Sequence, residues 1–179
     1  MEPSTNKAAV LEALRRERDG WEALLAEVGE ERMLQPGAAG EWTFKDVVAH
    51  LSAWRRRSIA RLAAASRGEP PPPNEWPAEF DEDTDAGIEQ INAWFHEIDR
   101  DRPLQDVLRE SREQFGQLEE LVQALPEQDL QDPDRFPGLE GQSLGAAIVS
   151  GSFFGHLHEE HEPAIRAWLG ASGSEGHKV

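Results

Sequence analysis

Glu41-Trp42-Thr43-Phe44-Lys45-Asp46-Val47-Val48-Ala49-His50-Leu51-Ser52-Ala53-Trp54 is the stretch that decides how the chain folds. Thr43 reads as a helix N-cap, because its hydroxyl can accept a bond from a first-turn N–H that lacks a partner. Asp46, three residues on, completes a weak capping box and puts a negative charge near the positive helix end. Behind the cap, Val47, His50, Leu51 and Trp54 recur at steps of three and four, so they share one helix face. A histidine therefore sits in the middle of an apolar stripe. The other dense histidine group, His156, His158 and His161, lies far along the chain. If the two helices pack together, an imidazole cluster forms inside a helical core.

Outward from this stretch the helical period persists. A first helix is predicted over 5–28, where Leu11, Leu14, Trp21, Leu25 and Val28 keep the rhythm and Arg18 interrupts it. Gln35 to Gly40 reads as a turn-rich connection. The second helix runs over 44–66, its inner face passing through Ser58, Arg61 or Leu62, and Ala65, with Gly68 as a C-terminal cap. Pro70 to Pro73 forbid helix and favour a stiff extended segment. Trp76 and Phe80 then stand among acidic residues; a free linker needs no aromatics, so both are expected to dock on the bundle.

A shorter helix is predicted over 85–99, with Ile88, Ile91, Trp94, Phe95 and Ile98 as its apolar set. Pro103 suits the first turn of the third long helix. That helix carries a seam of Leu104, Val107, Leu108, Ser111, Phe115, Leu118, Val122 and Leu125, and Pro126 stops it. A long connection over 131–142 follows. Ser143 caps the last helix, which reaches Leu169 and ends at Gly170. No strand pattern of comparable quality occurs. Four amphipathic segments of this length, about 33–40 Å each, bury their stripes most simply as an all-α four-helix bundle with a short extra helix between the second and third. Residues 1–172 read as one domain and 173–179 as a disordered tail.

Composition narrows the chemistry. The chain has 179 residues, enough for one core, and no cysteine, which removes disulfides and thiolate ligands or nucleophiles. With 35 acidic against 18 basic residues the net charge is −17. Such a surface repels phosphate backbones and anionic bilayers, so neither nucleic acid nor membrane is an expected partner. The N-terminal residues lack a basic region followed by an apolar run, and a cytoplasmic protein is expected. Arg55-Arg56-Arg57, the one basic run, reads as a solvated face pairing with acidic residues. A homodimer is left open.

The last predicted helix holds the remaining signals. Ala147, Gly151 and Gly155 form a small-residue stripe at steps of four, consistent with close helix contact or with space for a ligand. Two imidazoles share a metal from one α-helix when they stand three or four apart. His158 and His161 do so; His156 and His161 stand five apart, and Glu160, four after His156, is an alternative oxygen ligand. Pro163 cannot donate to the Glu159 carbonyl and should disturb the helix. A single-turn π-bulge would put His156 and His161 on one face. Partly exposed histidines among Glu159, Glu160 and Glu162 are the competing reading.

The run from Glu41 to Leu51 followed by Trp54 resembles the second-helix signature of the DinB-like superfamily. The later stretches, Ile91-Asn92-Ala93, Val107 to Ser111, and Gly151-Ser152-Phe153-Phe154-Gly155-His156 ahead of Ile165 to Leu169, resemble its ClbS/DfsB branch. The superfamily resemblance implies an up-down four-helix bundle, and a divalent metal held by a helix-two histidine and an H-x-x-x-H pair on the last helix. His50 matches the first. The pair departs from the pattern by one inserted residue, since Glu160 stands fifth from His156 and Leu157 stands where the partner of His161 would. The branch implies self-protection against a reactive natural product, with hydrolysis of a strained ring in a member. The chain has no tyrosine, so a mechanism using a phenol does not carry over.

The leading expectation is thus a protein that binds and hydrolytically inactivates an electrophilic small molecule. His50 would be the base or water-orienting residue, and Trp42, Trp54, Phe153 and His158 would form the pocket. The alternatives are a metal-dependent enzyme with zinc or nickel on His50, His156 and His161, and a bundle that sequesters its ligand without turnover.

Overall fold

Asn6 opens the first helix by accepting a hydrogen bond from the Ala9 N–H at 2.9 Å, and α1 (Lys7–Val28) follows. The computed structural model describes residues 5–173. After α1 come α2 (Glu30–Met33), the strands β1 (Pro36–Ala39) and β2 (Trp42–Thr43), α3 (Phe44–Ser66), α4 (Asp85–Asp99), α5 (Leu104–Ala124), α6 (Glu127–Gln131), α7 (Leu144–Ser150) and α8 (Glu162–Gly173). A 3-10 turn (Ser152–Phe154) and a π-helical segment (His156–His161) lie between α7 and α8. The protein is all-α apart from one small hairpin. α1, α3, α5 and the interrupted run from α7 to α8 form the walls of the bundle, and α4 lies against α3 as the short additional helix. Among the described residues no helix is long and apolar enough to cross a membrane.

The core follows the apolar stripes. Val10, Leu14, Trp21 and Leu25 of α1 pack with Val47, Val48 and Leu51 of α3, with Leu108, Phe115 and Leu118 of α5, and with Ile148, Phe154 and Ile165 of the last run. Each such side chain contributes about 1.5–3 kcal/mol when removed from water. Two buried polar bonds fix how the helices mesh: the Trp21 indole N–H donates to Ser111 Oγ at 3.0 Å, and the Gln114 amide donates to the Ser52 carbonyl at 2.8 Å. Val47 through Ala53 are all buried, so the first half of α3 is enclosed on every side.

The segment after α3 docks as expected. Trp76 is buried and Phe80 half-buried, in a second cluster with Trp54, Ile91 and Phe95. Ile88 and Ile98, read as part of the apolar set of α4, face outward instead; α4 packs chiefly on α3, so Ile91 and Phe95 are fully covered and Trp94 partly. A Cβ on Gly87 would stand 1.8 Å from the Asp81 carbonyl oxygen, so this close approach of loop to helix admits only glycine.

Three expectations require correction. Pro36–Ala39 and Trp42–Thr43 form an antiparallel hairpin rather than an unstructured connection. Pro103 is the N-cap of α5 rather than a residue of its first turn. α6 fills the stretch between α5 and the 131–142 connection, which holds no helix beyond Gln131. The last helix is not continuous: Gly151 adopts φ +84°, the left-handed conformation that closes a helix, so α7 stops there and no small-residue stripe runs along one helix face. Its C-terminal part passes Gly170 and reaches Gly173. The tail beyond, 174–179, lies outside the described residues.

Candidate metal centre

The capping box at the start of α3 is complete. Thr43 Oγ1 accepts from the Asp46 N–H at 3.1 Å, and Asp46 Oδ2 accepts from the Thr43 N–H at 2.9 Å. These reciprocal bonds, worth about 1 kcal/mol for the cap alone, fix the phase of α3 from its first residue. Seven residues on from Thr43, that phase points His50 inward between α3 and the π-helical segment. Trp42, just ahead of the cap, packs edge-on against the His50 ring at 5.4 Å and stacks on His96 at 5.0 Å.

His156 and His161 are brought together by the π segment. At 3.6 residues per turn, side chains five apart on an α-helix diverge by about 140°. In this segment the Glu162 N–H bonds the Leu157 carbonyl, an i→i+5 closure that absorbs the extra residue. The two imidazoles consequently stack, 5.0 Å between centroids and 20° between planes. Pro163, which has no N–H to give, falls in the first turn of α8, where its lack is tolerated.

His50 Nε2 lies 3.0 Å from His156 Nε2, which lies 3.0 Å from His161 Nε2, and the three nitrogens all fall within 4.8 Å of one another. His50 is buried, His161 half-buried and His156 exposed. Burial, followed by the neighbouring His156 and His161 rings, lowers the His50 pKa to about 3. Burial likewise lowers His156 and His161, against the raising influence of Glu160 on both. All three are therefore neutral near pH 7, the protonation state a metal ligand requires. Tetrahedral zinc with nitrogen ligands at about 2.0–2.1 Å places those nitrogens about 3.3 Å apart. The observed spacing fits an ion of that size with little movement. His50 Nδ1 is buried without a partner, so the usual orienting bond behind a ligating histidine is absent, and packing by Trp42 holds the ring instead.

A cleft of about 730 Å³ opens beside the triad, between the second half of α3, the 136–142 loop and the start of the π segment; His156, Ser58, Arg61 and Phe153 are on its walls. A narrower gap of about 190 Å³ adjoins it, lined by Leu51, Trp54, Arg55, Phe153, Phe154 and His156. Trp54 lines the narrower gap and Phe153 both cavities, and Trp54 is fixed by its indole N–H donating to Asn92 Oδ1 at 2.9 Å.

Two expected pocket residues stand elsewhere. Trp42 lines neither cleft, because the hairpin turns it onto the His50 and His96 rings. His158 lines neither because it points to α1, held between Glu17 and Glu162 at 2.8 Å each. Burial works against its charge, but the bonds with Glu162 and Glu17 outweigh it and raise its pKa. Glu160, the alternative ligand, borders the larger cleft and is not in the triad.

The basic run divides. Arg56 pairs with Glu75 at 2.7 Å and with Glu110, and Arg57 pairs with Glu82, as a solvated basic face should. Arg55 does not: it is buried, stacked over Phe115 at 4.8 Å and Phe154 at 5.6 Å. Its signal in the sequence was the stripe Leu51, Arg55, Ser58, Leu62 at steps of four, three and four, which shares the inner side of α3.

Fold and site together define a helical bundle with a three-histidine centre between its second long helix and its interrupted last one. The chain matches the DinB superfamily over residues 13–161, a span that contains all three histidines, and it belongs to that superfamily. No curated protein and no solved structure matches the chain.

Proposed function

We propose that this protein is a metal-dependent enzyme acting on an electrophilic small molecule, with His50, His156 and His161 holding a divalent ion, zinc or nickel. The observation that carries this reading is the convergence of three neutral imidazole nitrogens, 3.0 Å apart in sequence, on a backbone irregularity that has no other evident use. A bound ion of this kind supplies a Lewis acid and lowers the pKa of a coordinated water toward neutrality. The chain's own residues do the rest. Trp42 fixes the His50 ring, the larger cleft admits the substrate to the exposed side at His156, and Trp54 and Phe153 offer apolar walls. His50 thus acts as a ligand in this reading rather than as a free base. With its pKa held near 3, it is a poor proton acceptor at neutral pH.

The finer assignment, to the ClbS/DfsB branch and its self-protective role, rests on the sequence runs around Val107 and Phe153, and it supplies the substrate class: a strained or otherwise electrophilic natural product. Elemental analysis of protein purified without a metal-affinity tag or chelator tests the metal. About one zinc or nickel ion per chain is expected, and His50→Ala should lose it while keeping its helical circular dichroism. Wild-type protein that takes up neither ion at stoichiometric level refutes the reading. Turnover of a small epoxide beyond one equivalent separates catalysis from capture.

A further inference from the structure

Arg55 is a cation in the core with nothing to pair with. Only 8% of its surface is exposed, and among the described residues it forms no hydrogen bond and no ion pair. Its Nη1 is fully buried without a partner. The flanking arginines Arg56 and Arg57 both found carboxylates, so acidic partners are not scarce in this protein of net charge −17. Glu17 is the one carboxylate whose charge reaches Arg55, and it is engaged by His158 at 2.8 Å. Burial lowers the Arg55 pKa to about 10, which still leaves it charged at neutral pH. A charge removed from water in this way is costly unless something compensates it. The faces of Phe115 and Phe154 do so in part.

The position of Arg55 indicates what completes the compensation. It lines the narrow gap of about 190 Å³, together with Leu51, Trp54, Phe153, Phe154, Leu157 and His156. His156 also borders the larger cleft, so the two cavities share a member of the triad as a wall. The neighbouring polar groups on its wall are engaged elsewhere: Ser58 donates to the Trp54 carbonyl at 3.2 Å, the Trp54 indole donates to Asn92, and His156 belongs to the triad. The gap is therefore a mostly apolar slot with one buried cation and a histidine on its wall. A guanidinium presents a planar fork that matches a carboxylate in two parallel bonds.

We propose that Arg55 is the anion-recognition residue of this site, and that the gap receives the carboxylate of a small, otherwise apolar organic acid whose remaining part lies against His156. This deepens the small-molecule reading of the histidine centre and rests on it for the identity of the site, but anion binding itself requires no metal. The enzyme would select acids over their neutral analogues because only the anion neutralises the buried cation.

Calorimetric titration of the metal-free full-length protein with benzoate and with benzamide tests this. Benzoate should bind at least about tenfold more tightly, and Arg55→Met should abolish that preference. Metal uptake by Arg55→Met should remain at the wild-type level, because the three histidines are untouched. Equal affinity of the wild-type protein for the two probes overturns the proposal, as does a preference for benzoate that survives Arg55→Met. Should Arg55→Met not fold, Arg55→Lys decides: it keeps the charge but loses the fork, so the preference should weaken, and an unchanged preference counts against the proposal. A benzoate preference that depends on Arg55 in a protein that takes up no zinc or nickel supports the proposal while overturning the metal reading.

Discussion

His50 shows how one side chain can be set by its surroundings before any ligand arrives. Buried among Val47, Leu51 and the Trp42 ring, it is kept neutral far below the ordinary imidazole range, with a pKa near 3. The unfolded chain takes up this proton near pH 6.5, whereas the folded chain resists until about pH 3. Between those values the unfolded state binds more protons, so folding stability contributed by His50 is fully present above pH 6.5 and is lost as the pH falls toward 3. Metal-free protein should therefore lose stability on acidification with a slope of up to about 1.4 kcal/mol per pH unit from this group alone. His156 and His161, also lowered, add to it. Urea midpoints measured from pH 7 to pH 4 check this, and His50→Asn should flatten the slope; an identical slope in that variant would contradict the argument. Arg55 is the converse case. Its place in a run of three arginines concealed it, because adjacent residues on a helix face different ways and only the middle and last of the three reach solvent acids.

The π-helical segment carries the argument at the scale of the element. The five-residue step from His156 to His161, together with Pro163, was readable as an irregularity because both violate the α-helical ladder at the same place. What could not be read was the break at Gly151. Glycine at a step of four from Ala147 looks like a packing contact, and only the φ of +84° shows it as a terminator. The hairpin was hidden for a related reason: strands of four and two residues are too short to display alternation. If the segment is one residue too long for an α-helix, removing one residue should leave its flanks in register. Deleting Glu159 should restore a step of four between the two histidines and retain zinc binding within about tenfold. Deleting Ala164, outside the segment, should instead rotate Ile165 and Leu169 by about 100° away from the core and destabilise the bundle by several kcal/mol. Thermal melting and zinc titration of both variants distinguish them. Equal damage from the two deletions would mean that the π segment is not a local insertion.

For the whole molecule, the histidine centre ties the chain's second long helix to its last, across more than a hundred residues. The bundle itself was legible because four stripes at helical spacing admit few other burials, and the start of α3 was legible because Thr43 caps it. The site depended on which faces meet, a matter of packing that spacing alone leaves open. An ion held by both helices binds only the folded state, so saturation should raise stability by about 2.7 kcal/mol at a free concentration one hundred times Kd. For a chain of this length that corresponds to a rise in Tm of roughly 5–11 °C. Differential scanning fluorimetry with and without zinc measures it, and His161→Ala should show almost none of the rise. A wild-type Tm indifferent to zinc and nickel would show that the centre does not couple the two helices.

The stacking of Trp42 between His50 and His96 has an optical consequence. An indole excited state is quenched by a protonated imidazole in contact with it and by open-shell ions nearby, whereas zinc, with its filled shell, leaves it bright. The emission of Trp42 thus reports on an ion at the neighbouring His50: dimming with nickel and holding steady with zinc. Five other tryptophans supply a constant background, and Trp42→Phe subtracts the signal. The protein carries its own lamp beside the centre, and a fluorimeter without any added dye can follow the arrival of nickel, or its displacement by zinc.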